Sequence, residues 1–163
     1  MKKFELTNEF VTNMFGTKLF RIRALVEFGD VEAGELGGYV EKESNLGHDD
    51  NAWVYDNAWV YGNAQVSGDA RVCGDARVCG NGDYAYAHGF GSVNRTTTFF
   101  RLKDGGVGVR CGCFYGTLAQ FRDKIRETHG ETKKAQEYLM LADLMELRFE
   151  EDKNEVGNRK YVE

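Results

Sequence analysis

The sequence predicts a mainly β fold built around a parallel β-helix, and the main observation behind this is a short internal repeat. Between Asn51 and Asn81 one six-residue unit recurs as NAWVYD, NAWVYG, NAQVSG, DARVCG and DARVCG. Helical repeats are excluded, because they need about 20 residues or more. Six residues fit one short strand and one corner, so three units predict one coil of a triangular prism. We expect about three coils over residues 40–91.

The chemistry of the unit supports this fold. Each unit carries one β-branched valine, a residue that suits a buried strand position. Asp or Gly followed by Asn or Asp supplies a corner, because these residues tolerate left-handed backbone conformations. A small alanine follows and turns inward. The valines predicted to be buried are Val54, Val60, Val66, Val72 and Val78.

Both flanks of the repeat predict further elements. Residues 1–39 contain alternating apolar positions, typical of strands, and are predicted to form an N-terminal β cap. Residues 92–149 predict a hairpin around Lys103–Gly106 and then two helices. Thr117 and Gln120 have the spacing of a capping box at the start of the first helix, and Gly130 is expected to end it. Thr132 begins the second helix. The charged residues 150–163 predict a disordered tail.

The repeat resembles the aliphatic-x-x-x-small-x pattern of the hexapeptide-repeat superfamily over residues 52–90. The resemblance implies a left-handed parallel β-helix, often trimeric. The whole chain is most similar to small phage and prophage members, through FRIRAL at residues 20–25, GGYV at 37–40, the AWVY units and CGCFYGTL at 111–118. That similarity implies an accessory role such as evasion of host defence, and it assigns no catalytic residue.

Composition limits the functional classes. The chain has 163 residues and a net charge of −5, and no apolar run approaches the ~20 residues of a membrane span. With no signal-peptide pattern, a cytoplasmic protein is expected. The cysteines lack the spacing of a zinc site, and the aspartates of the repeat are expected to shape corners and not to bind calcium. We therefore expect no metal and no cofactor.

A basic segment inside this acidic chain predicts an anion site. Residues 91–126 carry seven Lys or Arg against two Asp, which favours a local site over general nucleic-acid binding. Guanidiniums, hydroxyls and aromatic faces together suit a small anionic or nucleotide-like ligand. Arg101 and Arg110, on neighbouring strands, are expected to meet one phosphate. The candidate residues are Arg95, Thr97, Phe99, Arg101, Arg110, Tyr115 and Thr117.

Aromatic residues of the repeat predict self-association. The period places Trp53 beside Arg71 and Trp59 beside Arg77, where cation–π pairs can form. Outward aromatic side chains favour a symmetric interface. A homotrimer is therefore predicted, with contacts through Trp53, Tyr55, Trp59 and Tyr61.

These observations favour a non-enzymatic trimeric binding protein, phage-encoded, that sequesters a small anionic or nucleotide-like ligand or holds a host protein. The alternative is a hexapeptide-repeat acyl- or acetyltransferase in which His88 is the base. DNA mimicry is a third class, suggested by the acidic repeat. It is disfavoured because Arg71 and Arg77 interrupt the acidic faces.

Overall fold

A computed structural model describes residues 2–150. It contains a five-stranded mixed sheet, a four-stranded antiparallel sheet, a two-stranded parallel sheet and two C-terminal helices. The predicted tail lies outside the described residues from position 151 onward. The strands are β1 Phe4–Thr12, β2 Lys18–Ala24, β3 Leu36–Val40, β4 Trp53–Val54, β5 Trp59–Val60, β6 Arg71–Val72, β7 Arg77–Val78, β8 Tyr84–Phe90, β9 Arg95–Arg101, β10 Val107–Cys111 and β11 Phe114–Thr117; the helices are α1 Leu118–His129 and α2 Lys133–Phe149.

The five-stranded sheet joins the N-terminal strands to the repeat. β1, β2 and β3 pair antiparallel, and β3, β5 and β7 continue the sheet as parallel strands. Ile22 and Ala24 of β2 are buried against the repeat core, as the alternating pattern of this segment predicts. The N-terminal segment is thus part of the same sheet as the repeat.

The repeat forms strands of only two residues, with the spacing that the period predicts. Val54 lies opposite Val72 and Val60 opposite Val78, in parallel pairs. Trp53 pairs with Arg71 and Trp59 with Arg77 in the same ladders. All five repeat valines are fully buried, which confirms the prediction of their inward orientation; they are Val54, Val60, Val66, Val72 and Val78.

The predicted left-handed parallel β-helix over residues 40–91 is nevertheless wrong. The repeat strands are divided between the five-stranded mixed sheet and the separate two-stranded sheet. On the third side of the expected prism, the described residues form only an isolated bridge between Leu46 and Val66. β8 pairs antiparallel with β9 and adds no further parallel row, so Phe90 lies opposite Arg95. Two-residue strands make few ladder hydrogen bonds of their own, and the longer flanking strands determine the sheets.

The C-terminal part follows the predicted order of elements, with two additional strands. β9 and β10 form the predicted hairpin, and β8 and β11 extend it to the order β11-β10-β9-β8. Helix α1 begins after Thr117 and ends at Gly130, and α2 begins after Thr132, as predicted. The helices pack on this sheet around a second core, whose larger members include Phe99, Phe121, Tyr138, Met145 and Phe149.

The hairpin contacts the last repeat strands directly. The amide of Arg71 donates to Thr98 Oγ1 at 3.0 Å, and the amide of Lys103 donates to the carbonyl of Asp75 at 2.9 Å. Ala76 and Leu102 form an antiparallel bridge beside these bonds. Phe100 completes the junction, because its side chain is buried in the repeat core.

The described part of the chain contains no helix long and apolar enough to cross a membrane. Within residues 2–150 no three His, Cys, Asp or Glu side chains are grouped so that they could hold a metal ion.

Candidate anion-binding site

Arg101 has a structural environment. Its side chain is only 11% exposed, and Nε lies 3.4 Å from Oδ1 of Asp83, which is 7% exposed. Nη1 donates to the carbonyls of Gly105 and Phe149, each at 3.3 Å. The guanidinium also lies over the Phe149 ring, 5.2 Å from its centroid. These contacts use the guanidinium to hold the end of α2 against the sheet.

Arg110 does not meet Arg101. In the β9–β10 ladder Arg110 lies opposite Thr98, whereas Arg101 lies opposite Val107. The two rungs are three positions apart along the strand. Side chains an odd number of positions apart leave opposite faces of the sheet, so Arg101 and Arg110 lie on opposite faces. Arg110 Nε donates to the Gly112 carbonyl at 3.2 Å, and its guanidinium lies 4.7 Å from the centroid of the Tyr55 ring. The two arginines therefore do not share one phosphate in this arrangement.

Thr97, Phe99 and Thr117 are occupied by intramolecular contacts. Phe99 is buried with its edge against Phe121, and Thr97 Oγ1 donates to Cys111 Sγ at 3.3 Å. Thr117 Oγ1 accepts the Gln120 amide at 3.2 Å, and Gln120 Oε1 accepts the Thr117 amide at 2.9 Å. The capping box is therefore confirmed, and it satisfies two donors at the start of α1.

Tyr115 is exposed at the junction of the two sheets. Its ring stacks on Phe100 with 6.2 Å between centroids, and its hydroxyl accepts the Asp75 amide at 3.4 Å. Partial burial raises the pKa of Tyr115 above its ordinary value. Tyr115 thus presents an exposed ring edge, and its hydroxyl oxygen already accepts a hydrogen bond.

Arg95 is the predicted site residue that remains available. It is exposed at the start of β9, and its side chain forms no hydrogen bond or ion pair with any residue within 2–150. Its guanidinium lies against Gly112, where any side chain would collide with Nη1. Gly112 has φ +59°, the left-handed region that favours glycine. The turn between β10 and β11 thus leaves room for Arg95.

Arg95 borders a concavity that we call the aromatic cavity. Its volume is about 280 Å³, and its floor is made by Phe114, Phe121, Ile125 and Tyr138. Two cations, Arg95 and Lys124, lie at its edge, and none of the described lining residues is acidic. The remaining lining residues are Gly91, Ser92, Cys111, Cys113, Thr128 and His129.

The polar groups of the aromatic cavity belong to one network. Cys111 Sγ lies 3.8 Å from the Tyr138 hydroxyl, and the His129 ring stacks on Tyr138 with 6.0 Å between centroids. Burial raises the pKa of the Tyr138 hydroxyl well above its ordinary value, with the neighbouring Cys111 adding to the effect. The Tyr138 hydroxyl thus lies at the buried side of the cavity beside the Cys111 thiol.

On its other side Arg95 borders a second concavity, the polar cavity, with a volume of about 310 Å³. Arg71 lies there but is paired with Asp30 at 3.2 Å. His88 Nδ1 lies 2.7 Å from Thr96 Oγ1. The other lining residues are Gly29, Asn51, Asp69, Asn94 and Gly112.

His88 is exposed on β8, and no Asp or Glu within the described residues hydrogen-bonds to its ring. It therefore lacks the carboxylate that commonly orients a general-base histidine. The catalytic role of His88 stays a prediction.

The predicted interface residues differ in position. Trp53 is fully buried between Phe4 and Phe28, at centroid distances of 6.3 and 5.3 Å, so its predicted outward orientation is wrong. Trp59 is half-buried beneath Arg77, with 3.9 Å between the guanidinium carbon and the ring centroid, which confirms this cation–π pair. Tyr55 is also half-buried, and its hydroxyl donates to Asp30 at 2.8 Å. The trimer itself stays a prediction.

The sequence reasoning missed most of the aromatic cavity. Lys124 lies in the basic segment, and Phe121 and Ile125 lie on the apolar face of α1. No local sequence pattern indicates that these residues lie near Arg95. Only the packing of α1 and α2 on the sheet brings them together.

A comparison with protein-family models found no match to the chain, and a search of curated proteins found none either. The hexapeptide-repeat resemblance is therefore wrong as an assignment. The expectation of a phage-encoded role rested on that resemblance alone.

Proposed function

We propose that this protein binds, without turnover, a small organic anion that has an aromatic or apolar body, of which a mononucleotide is the model. The ligand lies in the aromatic cavity, with its anionic group at Arg95 and Lys124. The observation that carries the proposal is the unpaired Arg95 guanidinium beside an aromatic floor, in a cavity with no acidic residue among its described lining.

Electrostatics favour an anion at this place. The chain as a whole is negative, so a cavity bordered only by cations is a local exception. A guanidinium is suited to planar, bidentate contact with phosphate or carboxylate. Each charge-assisted hydrogen bond contributes about 1.5–3 kcal/mol.

The volume and the lining of the aromatic cavity indicate what the rest of the ligand is. A volume of about 280 Å³ is near the lower end of the range for small-molecule sites. Phe114 is partly exposed and offers a ring to a base, with the buried Phe121 packed against it. Stacking of a base on an aromatic side chain contributes about 1–3 kcal/mol. The polar cavity, which Arg95 also borders, can accept further polar groups of a longer ligand.

The contacts of the two cysteines in the aromatic cavity favour binding over thiol chemistry there. Neither Cys111 nor Cys113 is hydrogen-bonded to a histidine within residues 2–150, and the Cys111 partners are the hydroxyls of Thr97 and Tyr138. A nucleophilic cysteine is normally activated by a neighbouring base.

The test measures nucleotide binding by isothermal titration calorimetry with mono- and dinucleotides. Arg95→Gln and Lys124→Gln should each weaken binding by about tenfold to a hundredfold. Lys103→Gln is the matched control, because it removes one positive charge at an exposed turn outside both cavities. Equal affinities for Arg95→Gln and Lys103→Gln, or no nucleotide binding by the unmodified chain, would refute the proposal.

Turnover is measured on the same samples with an acyl-coenzyme A donor. Consumption of the donor that disappears in His88→Ala would overturn binding without turnover in favour of the transferase.

A further inference from the structure

Helix α2 has two apolar faces, and only one of them is covered. Its inner face is buried against the sheet and α1, through residues that include Ala135, Ala142 and Phe149. On the opposite side lie Met140, Leu144 and Leu147, with exposed fractions of 70%, 53% and 67%. Their spacing of four and three residues places them in one row along the helix. We call this row the outer stripe.

We propose that the outer stripe is the interface with a second copy of this chain. The two α2 helices pack antiparallel about a twofold axis near Leu144. In this arrangement Met140 faces Leu147 of the second copy, and each Leu144 lies near its own equivalent. The interface is independent of the ligand and of the aromatic cavity.

Charge complementarity supports a second copy as the occupant. Glu137 and Arg148 flank the outer stripe on the same side, at opposite ends of the helix. They are separated by about 16 Å along the axis, so they cannot pair within one chain. Neither side chain forms a hydrogen bond or ion pair with another residue in the described range. A twofold axis near Leu144 places each Glu137 opposite Arg148 of the other copy, which makes two pairs.

The other flank of the stripe opposes this packing only weakly. Asp143 and Glu146 carry negative charge there, but Arg122 lies 2.8 Å from Asp143 Oδ1 and 3.4 Å from Glu146 Oε2. The guanidinium offsets one of the two negative charges, so this flank stays weakly negative in each copy. The second copy thus meets an apolar centre with complementary charge on one side and partly compensated charge on the other.

The expected dimer is weak. Helix α2 has 17 residues and a length of about 25 Å, so one helix pair buries less than the roughly 1,200–2,000 Å² of a stable interface. We expect a dissociation constant between about 1 µM and 1 mM. Sedimentation velocity over that concentration range measures it directly.

The test compares two leucines of equal exposure. Leu144→Glu should leave a monomer at every concentration. Leu36→Glu, at a side chain that is 54% exposed on β3, should dimerise like the unmodified chain. Circular dichroism with thermal melting establishes that both variants keep their helices.

A charge exchange tests the antiparallel arrangement itself. Glu137→Lys and Arg148→Glu should each weaken self-association about tenfold or more, because each variant opposes like charges at both pairs. An equimolar mixture of the two variants re-forms both pairs, so it should give a heterodimer about as tight as the original homodimer.

Three results would overturn the proposal. The first is an unmodified chain that stays monomeric at the highest concentration, which would assign the stripe to another occupant. The second is a mixture of Glu137→Lys and Arg148→Glu that associates no better than either variant alone. The third is a trimer that persists in Leu144→Glu.

Discussion

A glycine pair in β3 allows close packing that a single methyl group should disrupt. A Cβ at Gly38 would lie 2.6 Å from the carbonyl oxygen of Ala58 and 2.7 Å from Val54 Cγ1. Gly38 has no positive φ, so the cost of Gly38→Ala is steric and not conformational. Ala58 is part of the parallel ladder, where its carbonyl accepts the Tyr39 amide at 2.9 Å. The oxygen cannot move away without loss of that bond.

The expected loss of stability follows from these contacts. Overpacking a tight core costs about 1–3 kcal/mol, and the fixed carbonyl places Gly38→Ala near the upper end. The reduced entropy of the unfolded chain offsets about 0.4–1 kcal/mol. The net loss of about 2 kcal/mol should lower Tm by about 4–8 °C for a chain of this size.

Thermal and urea unfolding followed by circular dichroism measure this effect. Gly80→Ala is the matched control, because Gly80 has extended backbone at φ −156° and no other atom lies within 4 Å of the place that a new methyl group would take. It should leave Tm unchanged or slightly raised. If Gly38→Ala melted at the temperature of Gly80→Ala, β3 would have room to shift and the reasoning would be refuted.

Two further predictions concern buried charges. Lys3→Met should lower the free energy of unfolding in urea by about 2 kcal/mol, because Nζ donates to the Ala52 carbonyl at 2.6 Å and to Asp50. Burial lowers the pKa of Lys3 below 10.5. Between the folded-state pKa and that value the unfolded chain binds more protons at this group, so the contribution of Lys3 to stability rises with pH. The difference in unfolding free energy between the unmodified chain and Lys3→Met should therefore grow over this range, and a constant difference would contradict the assignment. Arg101→Ala should lower the free energy of unfolding by about 3 kcal/mol in the same assay, because it removes the guanidinium beside the buried Asp83 carboxylate. Nucleotide affinity should stay unchanged. Unchanged stability together with weakened nucleotide binding would make Arg101 a ligand residue.

Local patterns were sufficient wherever one element determines its own structure. The Thr117–Gln120 capping box and Gly130 set the ends of α1 through bonds within a few residues. The repeat valines were readable because the same inward position recurs in every unit. These features depend on sequence neighbours and not on the rest of the fold.

Features that depend on distant segments could not be read in this way. The repeat indicated an outward Trp53, but Phe4 and Phe28 of the N-terminal segment cover it. The same segment adds antiparallel strands to the parallel ones, which no period of six can show. Such pairings are set by long-range packing.

The positions of the candidate site residues could not be read from the sequence for a related reason. In β9 four consecutive residues, 97–100, are buried, because the strand lies between the repeat core and the helical core. Alternation is lost in a strand covered on both faces, so the side on which Arg101 or Phe99 lies is not visible in the sequence. Arg95 is the first residue of this strand, outside the part that is covered on both faces, and of the three candidate arginines it is the exposed one.

The contact between the β9–β10 hairpin and the last repeat strands has a consequence for solubility. A parallel ladder of short, valine-rich strands ends in unpaired amides and carbonyls, which can template the addition of strands from other molecules. Here Leu102 and Lys103 occupy positions beside Ala76 and Asp75 at that end. The hairpin therefore covers backbone groups at that end of the ladder, and its opening would expose them to pairing with another chain.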